Sequence, residues 1–159
     1  MDYIPTNKLF LILDLFDTVI WEPVNMSDVW EVRPGFSELV EYLKAKYMKG
    51  AICSDVTTDR VQEKLGWARS YLEEQLRDNF IGIYGADNLP LVEQDGTTYK
   101  NLGQLCNIAK VNPIEAVMCG DNHRGLDQRS CKFYNIHFIP VPNGRQDPYF
   151  SLSSLIPTD

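Results

Sequence analysis

Five short apolar stretches recur along the chain, separated by segments whose apolar residues follow helical spacing. A short run that is apolar throughout is typical of a strand buried on both faces of a parallel sheet. The predicted strands are 9–13, 51–54, 80–85, 116–119 and 136–141. The predicted helices are 36–47, 58–76, 100–110 and 126–134. Strands that alternate with helices indicate an α/β fold, a three-layer, doubly wound and mostly parallel sheet.

The segments outside this alternation are short. Residues 21–32 show no sustained periodicity, and we predict an excursion that contains a short hairpin. The Arg-Pro-Gly sequence at 33–35 then opens the first helix, with proline near the first turn, where its missing N–H costs little. Residues 143–159 are predicted to form a tail. A single domain therefore spans residues 1–159, with its core at about 8–142.

The formal net charge of −7 limits the classes of partner. It argues against wholesale binding of nucleic acid, which needs a basic surface. It is compatible with a phosphorylated substrate, because a metal ion can supply positive charge locally. No stretch reaches the ~20 apolar residues that span a bilayer, and the start lacks the pattern of a secretory signal. We therefore expect a cytoplasmic protein without membrane contact, and the sequence leaves its oligomeric state open.

The four cysteines form no Cys-x-x-Cys pair. Two of them, Cys53 and Cys119, lie inside predicted core strands, where a thiol behaves as a small apolar group. We therefore predict reduced core thiols at Cys53, Cys106, Cys119 and Cys131 rather than disulfides or a zinc site.

Polar residues gather directly after the predicted strands. In a parallel α/β sheet, ligands bind outside the carboxyl ends of the strands. That edge would collect residues 14–18, Ser54, Asp55 and residues 120–122, and Lys100 could reach it from the connection before its helix. Transfer of a phosphoryl group needs a nucleophile, an oxygen-ligated divalent cation and donors for the phosphate oxygens. The residue types at this edge can supply all three.

Each of these roles has a candidate in the sequence. Asp14 could attack phosphorus and form an aspartyl-phosphate intermediate. Asp121 could hold a magnesium ion from a second strand end, since magnesium prefers carboxylate oxygens. Ser54 offers a hydroxyl to a phosphate oxygen, and Lys100 offers a positive charge to the nucleophile and the phosphate together.

Four segments, in this order, resemble the motifs of the haloacid-dehalogenase-like hydrolase superfamily. They are LFLILDLFDTVI, AICS, the lysine at position 100 and AVMCGDN. The resemblance spans residues 9–141. It implies a Rossmann-like core and a magnesium-dependent phosphatase that acts through Asp14.

The resemblance also implies roles for particular residues. It implies metal ligation by Asp14, the backbone carbonyl of Phe16 and Asp121. It implies that Ser54, Asp55 and Lys100 bind the substrate. Only 39 residues separate Asp14 from Ser54, which leaves no room for a large cap domain. We therefore expect a capless member with an open site for a phosphorylated small molecule or macromolecule.

Two positions depart from the family pattern. Phe16 stands where the second family aspartate protonates the leaving group, and a phenyl ring carries no such proton. Asp17, one residue later, is the nearest substitute for that catalytic acid. The second family carboxylate usually follows the position of Asp121 by about four residues, whereas Asp127 follows by six. Asp127 is therefore expected to be a poor direct ligand, and Asn122 or a water is the alternative.

Three other interpretations remain open. A catalytically impaired module that binds phosphate or metal would explain Phe16. A receiver-like signalling domain also joins Asp, Ser or Thr, and Lys, but its phosphorylated aspartate follows a later strand. A dehalogenase usually encloses its small substrate under a lid, for which this chain lacks the length.

Four further residues near the expected site could contact the substrate, but each has a more common structural role. His123 and Arg124 could contact a phosphate at a helix N-terminus, although such side chains are more often solvated. Trp21 and Trp30 flank the expected mouth of the site, although packing is the default role for tryptophan.

Overall fold

The computed structural model describes residues 2–21, 30–65 and 68–158. The strands in these ranges are β1 (Phe10–Leu13), β2 (Ile20–Trp21), β3 (Glu31–Val32), β4 (Lys49–Cys53), β5 (Phe80–Tyr84), β6 (Val92–Gln94), β7 (Thr97–Tyr99), β8 (Ala116–Gly120) and β9 (His137–Pro140). The helices are α1 (Phe36–Ala45), α2 (Thr58–Leu65), α3 (Ala68–Gln75), α4 (Leu102–Ala109) and α5 (Leu126–Tyr134). Short 3-10 turns lie at Pro113–Glu115, His123–Gly125 and Leu152–Leu155.

Five strands form one sheet in the order β5-β4-β1-β8-β9, and every neighbouring pair is parallel. Helices flank the sheet, which confirms the predicted α/β class and is compatible with a Rossmann-like fold. The chain leaves β1 toward β4 in one direction and later returns to β8 on the other side. The strand order therefore reverses between β1 and β8, and such a reversal opens a crevice at the carboxyl ends of the strands.

The residues of β1 explain why its apolar run is unbroken. All four are fully buried. Leu11 and Leu13 belong to a core that includes the apolar face of α1, whereas Phe10 and Ile12 belong to a second core that includes α4. Because side chains alternate along a strand, a sheet covered on both faces needs apolar residues at every position.

The connections differ from prediction in detail. The predicted helix at 58–76 is described as α2 and α3, with residues 66–67 outside the described ranges. Within the predicted excursion, β2 and β3 pair antiparallel, whereas residues 22–29 lie outside the description. The β6–β7 hairpin lies between the predicted strand at 80–85 and the predicted helix at 100–110, where no strands were predicted, and an Asp-Gly turn at 95–96 joins its strands. Both turn residues have positive φ, as a tight hairpin turn requires.

The C-terminal segment is part of the core rather than a tail. Leu152 and Leu155 are buried against α1, and the Leu152 N–H donates to the carbonyl of Pro34 at 2.8 Å. Gly35, with φ of 85°, is the N-cap of α1, so Pro34 lies before the helix rather than in its first turn. A Cβ on Gly35 would come within 2.2 Å of the Ser151 hydroxyl, which explains why glycine occupies this position.

Two further predictions concern the whole chain. The four cysteines are all buried and free, as predicted. Among the described residues, no helix combines the length and the apolar character that a bilayer crossing requires.

Candidate active site

The loop after β1 is fixed by its own backbone. The Leu15 carbonyl accepts hydrogen bonds from the N–H groups of Val19 and Ile20, both at 3.0 Å. The Asp14 N–H donates to the carbonyl of Cys119 at 3.0 Å, which extends the pairing of β1 with β8 by one residue. Asp14 therefore sits where the strand order reverses, and its side chain is largely buried.

Lys100 is buried beside Asp14. Its ammonium donates to Asp14 Oδ1 at 2.9 Å and to the carbonyl of Cys53, also at 2.9 Å. It lies 2.8 Å from Asp127 Oδ1. The backbone N–H of Lys100 donates to Ser130 Oγ at 2.8 Å, which ties the segment after β7 to α5. The structure therefore brings Lys100 to the predicted edge of the sheet, 86 residues away from Asp14 in sequence.

Three carboxylates converge at this edge. Asp14, Asp121 and Asp127 each offer an oxygen within 4.8 Å of the others. The Asp121 N–H donates to the hydroxyl of the fully buried Thr18 at 3.1 Å, so the first loop positions the second aspartate. Asp121 Oδ1 is buried and accepts no hydrogen bond from a described residue. A buried oxygen without a donor is costly unless another positive group occupies its neighbourhood.

Gly120 makes this convergence sterically feasible. A Cβ at this position would lie 2.2 Å from Asp127 Oδ2 and 3.1 Å from the Cβ of Asp14. Any other residue would push the carboxylates apart. Glycine at the end of β8 is therefore required by packing.

The sequence spacing predicts that Asp127 is too far from Asp121 to be a good metal ligand, yet the structure places its carboxylate in the cluster. The chain takes up the two additional residues in a tight connection, in which Asn122 and Arg124 have positive φ, so Asp127 returns to the site from the first turn of α5. The Asn122 side-chain carbonyl accepts from the Gln128 N–H of α5 at 2.9 Å, whereas an Asp127 oxygen lies in the carboxylate cluster. The sequence spacing could not reveal that Asp127 joins the cluster, because its position depends on the path of the connection between Asp121 and α5.

The site holds an excess of negative charge. Three carboxylates face the single ammonium of Lys100. Burial raises the pKa of Asp14 to about 7 against the opposing charge of Lys100, and the adjacent Asp121 carboxyl raises it further. Burial, together with the charge of Asp14, raises the pKa of Asp127 to about 6 against Lys100. Burial disfavours the Lys100 ammonium, yet Asp14 and Asp127 outweigh it and hold the pKa of that amine above its usual value.

These shifts predict how a divalent cation changes stability with pH. Because the folded-state pKa values of Asp14 and Asp127 lie above the ordinary 3.8, their contribution to stability is present below about pH 4 and is lost as pH rises through 6 to 7. A cation that takes the place of the protons on Asp14 and Asp127 should restore the lost stability. We expect saturating Mg²⁺ to raise the melting temperature by about 5–10 °C at pH 8 and much less at pH 5.

The check is thermal unfolding at both pH values, with Mg²⁺ or with a chelator. Asp121→Asn should remove most of the increase, whereas Glu93→Gln, on an exposed position of β6, should retain it. An equal increase at both pH values would contradict this account of the charges.

The remaining predicted residues lie at the same edge in different environments. Ser54 is buried, and its hydroxyl accepts from the Val56 N–H at 3.3 Å. Asp55 is exposed and lines a cavity beside Asp14. Phe16 and Asp17 also line this cavity, and Asp17 has a φ of 61°.

The cavity has a volume of about 740 Å³. Besides acidic residues, its lining includes side chains that the sequence did not mark as site residues. It also includes side chains for which the sequence favoured solvation or packing. These are Trp30, Val56, Arg60, Thr98, His123, Arg124, Leu126 and Arg129. Trp21 is not among them, because it is buried with the Arg33 guanidinium 4.4 Å from its ring centre. Nothing in the local sequence around Arg60 or Arg129 marks them as cavity residues.

The geometry thus consists of a buried aspartate paired with a lysine, two further carboxylates and an adjoining cavity. Comparison of the sequence with models of known protein families and with curated proteins finds no match. What this arrangement does is therefore inferred from its own residues and distances.

Proposed function

We propose that this chain is a magnesium-dependent phosphomonoester hydrolase of the haloacid-dehalogenase-like type, with Asp14 as its nucleophile. One observation carries the proposal: the Asp14 carboxylate, paired with Lys100 and clustered with Asp121 and Asp127, lines a cavity at the point where the strand order reverses. That point is where ligands bind in open parallel sheets.

The residues fit a magnesium ion. Asp121 Oδ1 is buried without a donor, and with all three carboxyls ionised the cluster would carry two more negative than positive charges. Carboxylate and carbonyl oxygens are the ligands that magnesium prefers. Asp14, Asp121 and the backbone carbonyl of Phe16 would hold the ion, with Asp127 close enough to contribute. When bound, the ion would keep the carboxylates ionised and neutralise charge on the phosphate.

The chain's own residues then account for the reaction. Lys100 holds Asp14 Oδ1, which leaves the other carboxylate oxygen to attack phosphorus. The bond from phosphorus to the ester oxygen breaks, the oxygen leaves as an alcohol after gaining a proton, and Asp14 becomes an aspartyl phosphate. Water then attacks phosphorus, and the products are inorganic phosphate and the original carboxylate. Lys100 and the Ser54 hydroxyl would bind phosphate oxygens during both steps, with Asp55 at the cavity wall.

Asp17 is the residue we assign as the proton donor. It lines the cavity, whereas the side chain at the usual position is Phe16, which packs edge-to-face on Trp30 with ring centres 5.2 Å apart. The Asp17 backbone is held in its positive-φ conformation, since its N–H donates to the Ile20 carbonyl and its carbonyl accepts from Arg33. This bend in the loop supports Asp17 as the proton donor.

The direct test is hydrolysis of a generic aryl phosphate. We expect release of inorganic phosphate with Mg²⁺ and far less with a chelator, because without the cation Asp14 is partly protonated near its raised pKa and the charge on the phosphate is not neutralised. An aryl leaving group needs little protonation, so this substrate tests the nucleophile and the metal independently of the acid. Release that persists unchanged in the chelator would overturn the proposal.

A second candidate function is a phosphate- or metal-binding module without efficient turnover. The observation that favours it is Phe16, which carries no proton and packs against Trp30. If only the acid is missing, we expect Phe16→Asp to raise hydrolysis of an alkyl phosphate by about 10²–10⁴-fold, the usual contribution of a general acid. Phe16→Leu is the matched control for lost packing. A folded Phe16→Asp variant with no gain counts against the impaired module and favours Asp17 as the working acid.

A further inference from the structure

Three arginines line the same cavity as the acidic cluster. Arg60, Arg124 and Arg129 account for three of the seven arginines in a chain whose net charge is −7. The ion pairs among the described residues involve neither Arg60 nor Arg124, and both side chains are exposed. Arginine binds phosphate and carboxylate groups through two parallel N–H donors.

The arginines come from three separate elements, and backbone carbonyls accept hydrogen bonds from Arg129. Arg129, on α5, donates from Nε to the Thr98 carbonyl at 3.1 Å and from Nη1 to the Arg124 carbonyl at 3.2 Å. It thereby connects the β6–β7 hairpin to the turn that carries Arg124. Arg60 lies in the first turn of α2, whose start is capped by Asp87 through the Thr58 N–H at 2.6 Å. The Arg129 guanidinium is thus fixed by hydrogen bonds, and the backbone of Arg60 and Arg124 is set by the cap of α2 and by the turn that Arg129 contacts.

An aromatic pair lines the cavity beside them. Phe16 and Trp30 meet edge-to-face, with an angle of 74° between their rings, and each is only partly buried. Such rings offer a surface on which a planar aromatic group can pack. The cavity of about 740 Å³ falls in the range of sites that hold an entire organic ligand, about 300–1,000 Å³, and is far larger than one phosphoryl group needs.

We propose that the substrate is a small phosphomonoester that carries a second phosphate and a planar aromatic ring, as a nucleoside bisphosphate does. This inference rests on the proposed phosphatase function. The reacting phosphate is bound at Asp14 and Lys100, the second phosphate by the exposed arginines, and the ring by Phe16 and Trp30. Hydrolysis removes the reacting phosphate alone, by the two steps at Asp14, and the second phosphate stays on the product.

The two exposed arginines are available to a second anion because, among the described residues, it is Lys100 that pairs with the acidic cluster. Lys100 is already within 2.9 Å of Asp14 and 2.8 Å of Asp127. Exposed guanidinium groups in the cavity wall would then bind an anionic part of the ligand that extends beyond the reacting phosphate. A long polynucleotide fits less well, since the chain as a whole repels it at a net charge of −7.

The test compares kcat/KM for a nucleoside 3′,5′-bisphosphate, the corresponding 5′-monophosphate and ribose 5-phosphate, with an aryl phosphate as reference. We expect the bisphosphate to be the best substrate. Arg124→Ala should lower kcat/KM by about 10–100-fold for the bisphosphate, the effect of losing a charge-assisted hydrogen bond, and by less than about threefold for the aryl phosphate. Arg77→Ala, an exposed arginine outside the cavity, is the matched control and should change neither.

Trp30→Leu tests the aromatic part separately. It should remove the preference for the nucleoside 5′-monophosphate over ribose 5-phosphate and leave the effect of the second phosphate in place. Equal losses on all four substrates in Arg124→Ala and Trp30→Leu would mean that these residues are structural, and would overturn the inference.

The remaining outcomes separate this inference from the proposed function. Magnesium-dependent hydrolysis of the aryl phosphate without preference for the bisphosphate overturns the substrate class alone. No hydrolysis of any compound overturns the phosphatase and the substrate class together. A 5′-phosphorylated oligonucleotide that is cleaved better than the bisphosphate would replace the small molecule with a nucleic-acid end, and would also overturn the inference.

Discussion

Asp14→Asn should lower magnesium-dependent phosphate release by about 10³-fold or more, because an amide cannot form the phosphoryl-enzyme. The variant is nearly isosteric, so the Lys100 ammonium keeps a neighbouring oxygen acceptor 2.9 Å away in the parent structure. The measurement is single-turnover release of phosphate, with capture of the phosphorylated aspartate in the parent protein. Parent-like hydrolysis in Asp14→Asn would remove the nucleophile assignment.

The same variant should be more stable than the parent in the absence of a cation. Replacing a buried carboxyl whose pKa is about 7 removes the cost of ionising it beside Asp121 and Asp127. At pH 8 the gain should be of the order of 1 kcal/mol in the free energy of unfolding, or about 2–4 °C in the melting temperature. The gain should shrink as pH falls and disappear below about pH 4, where Asp14 is protonated in both the folded and the unfolded chain. A lower melting temperature at pH 8 would show that the charge excess is not what limits stability here.

Lys100→Met should lower the free energy of unfolding by about 3–5 kcal/mol at pH 8, the usual effect of removing one partner from a buried ion pair. Methionine has a similar length and no charge, so Asp14 and Asp127 would lose the ammonium that both contact. The loss should shrink toward pH 4, where the carboxyls become protonated and need no counterion. Hydrolysis should also fall, because Asp14 loses the group that holds Oδ1.

Chemical denaturation at pH 8 and at pH 4 measures this effect. Lys132→Met, at an exposed position of α5, is the matched control and should stay within about 0.5 kcal/mol of the parent. If Lys100→Met and Lys132→Met were equally stable at pH 8, the ion pairs of Lys100 would contribute nothing to the fold.

The strands and the polar residues after them were predictable because both depend on local sequence. Full burial on two faces forces an unbroken apolar run, and β1 and β8 show such runs. The rule that parallel strands end at a common edge then placed Asp14 and Asp121 together without knowledge of the strand order. Lys100 was predictable only from motif order, since its local sequence resembles an ordinary helix start.

Other features depend on contacts between segments that are distant in sequence. Asp127 joins the cluster only because of the path taken after Asp121, and the sequence spacing pointed away from it. Leu152 and Leu155 become core residues only because their segment returns to α1, which no pattern within the segment indicates. The cavity arginines carry no local signal, since an arginine on an exposed helix face and one at the wall of a cavity have the same sequence context.

By itself, the sequence determined the α/β class, the edge of the sheet that carries the polar residues and the identity of three groups at that edge: Asp14, Lys100 and Asp121. The apolar periodicity and the polar residues at strand ends depend on consecutive residues, so both can be identified from the sequence. Only the tertiary structure decided the strand order, the place of Asp127 and the composition of the cavity wall. These three features depend on the path of each connection between strands and helices. That path is set by packing between residues that are distant in sequence.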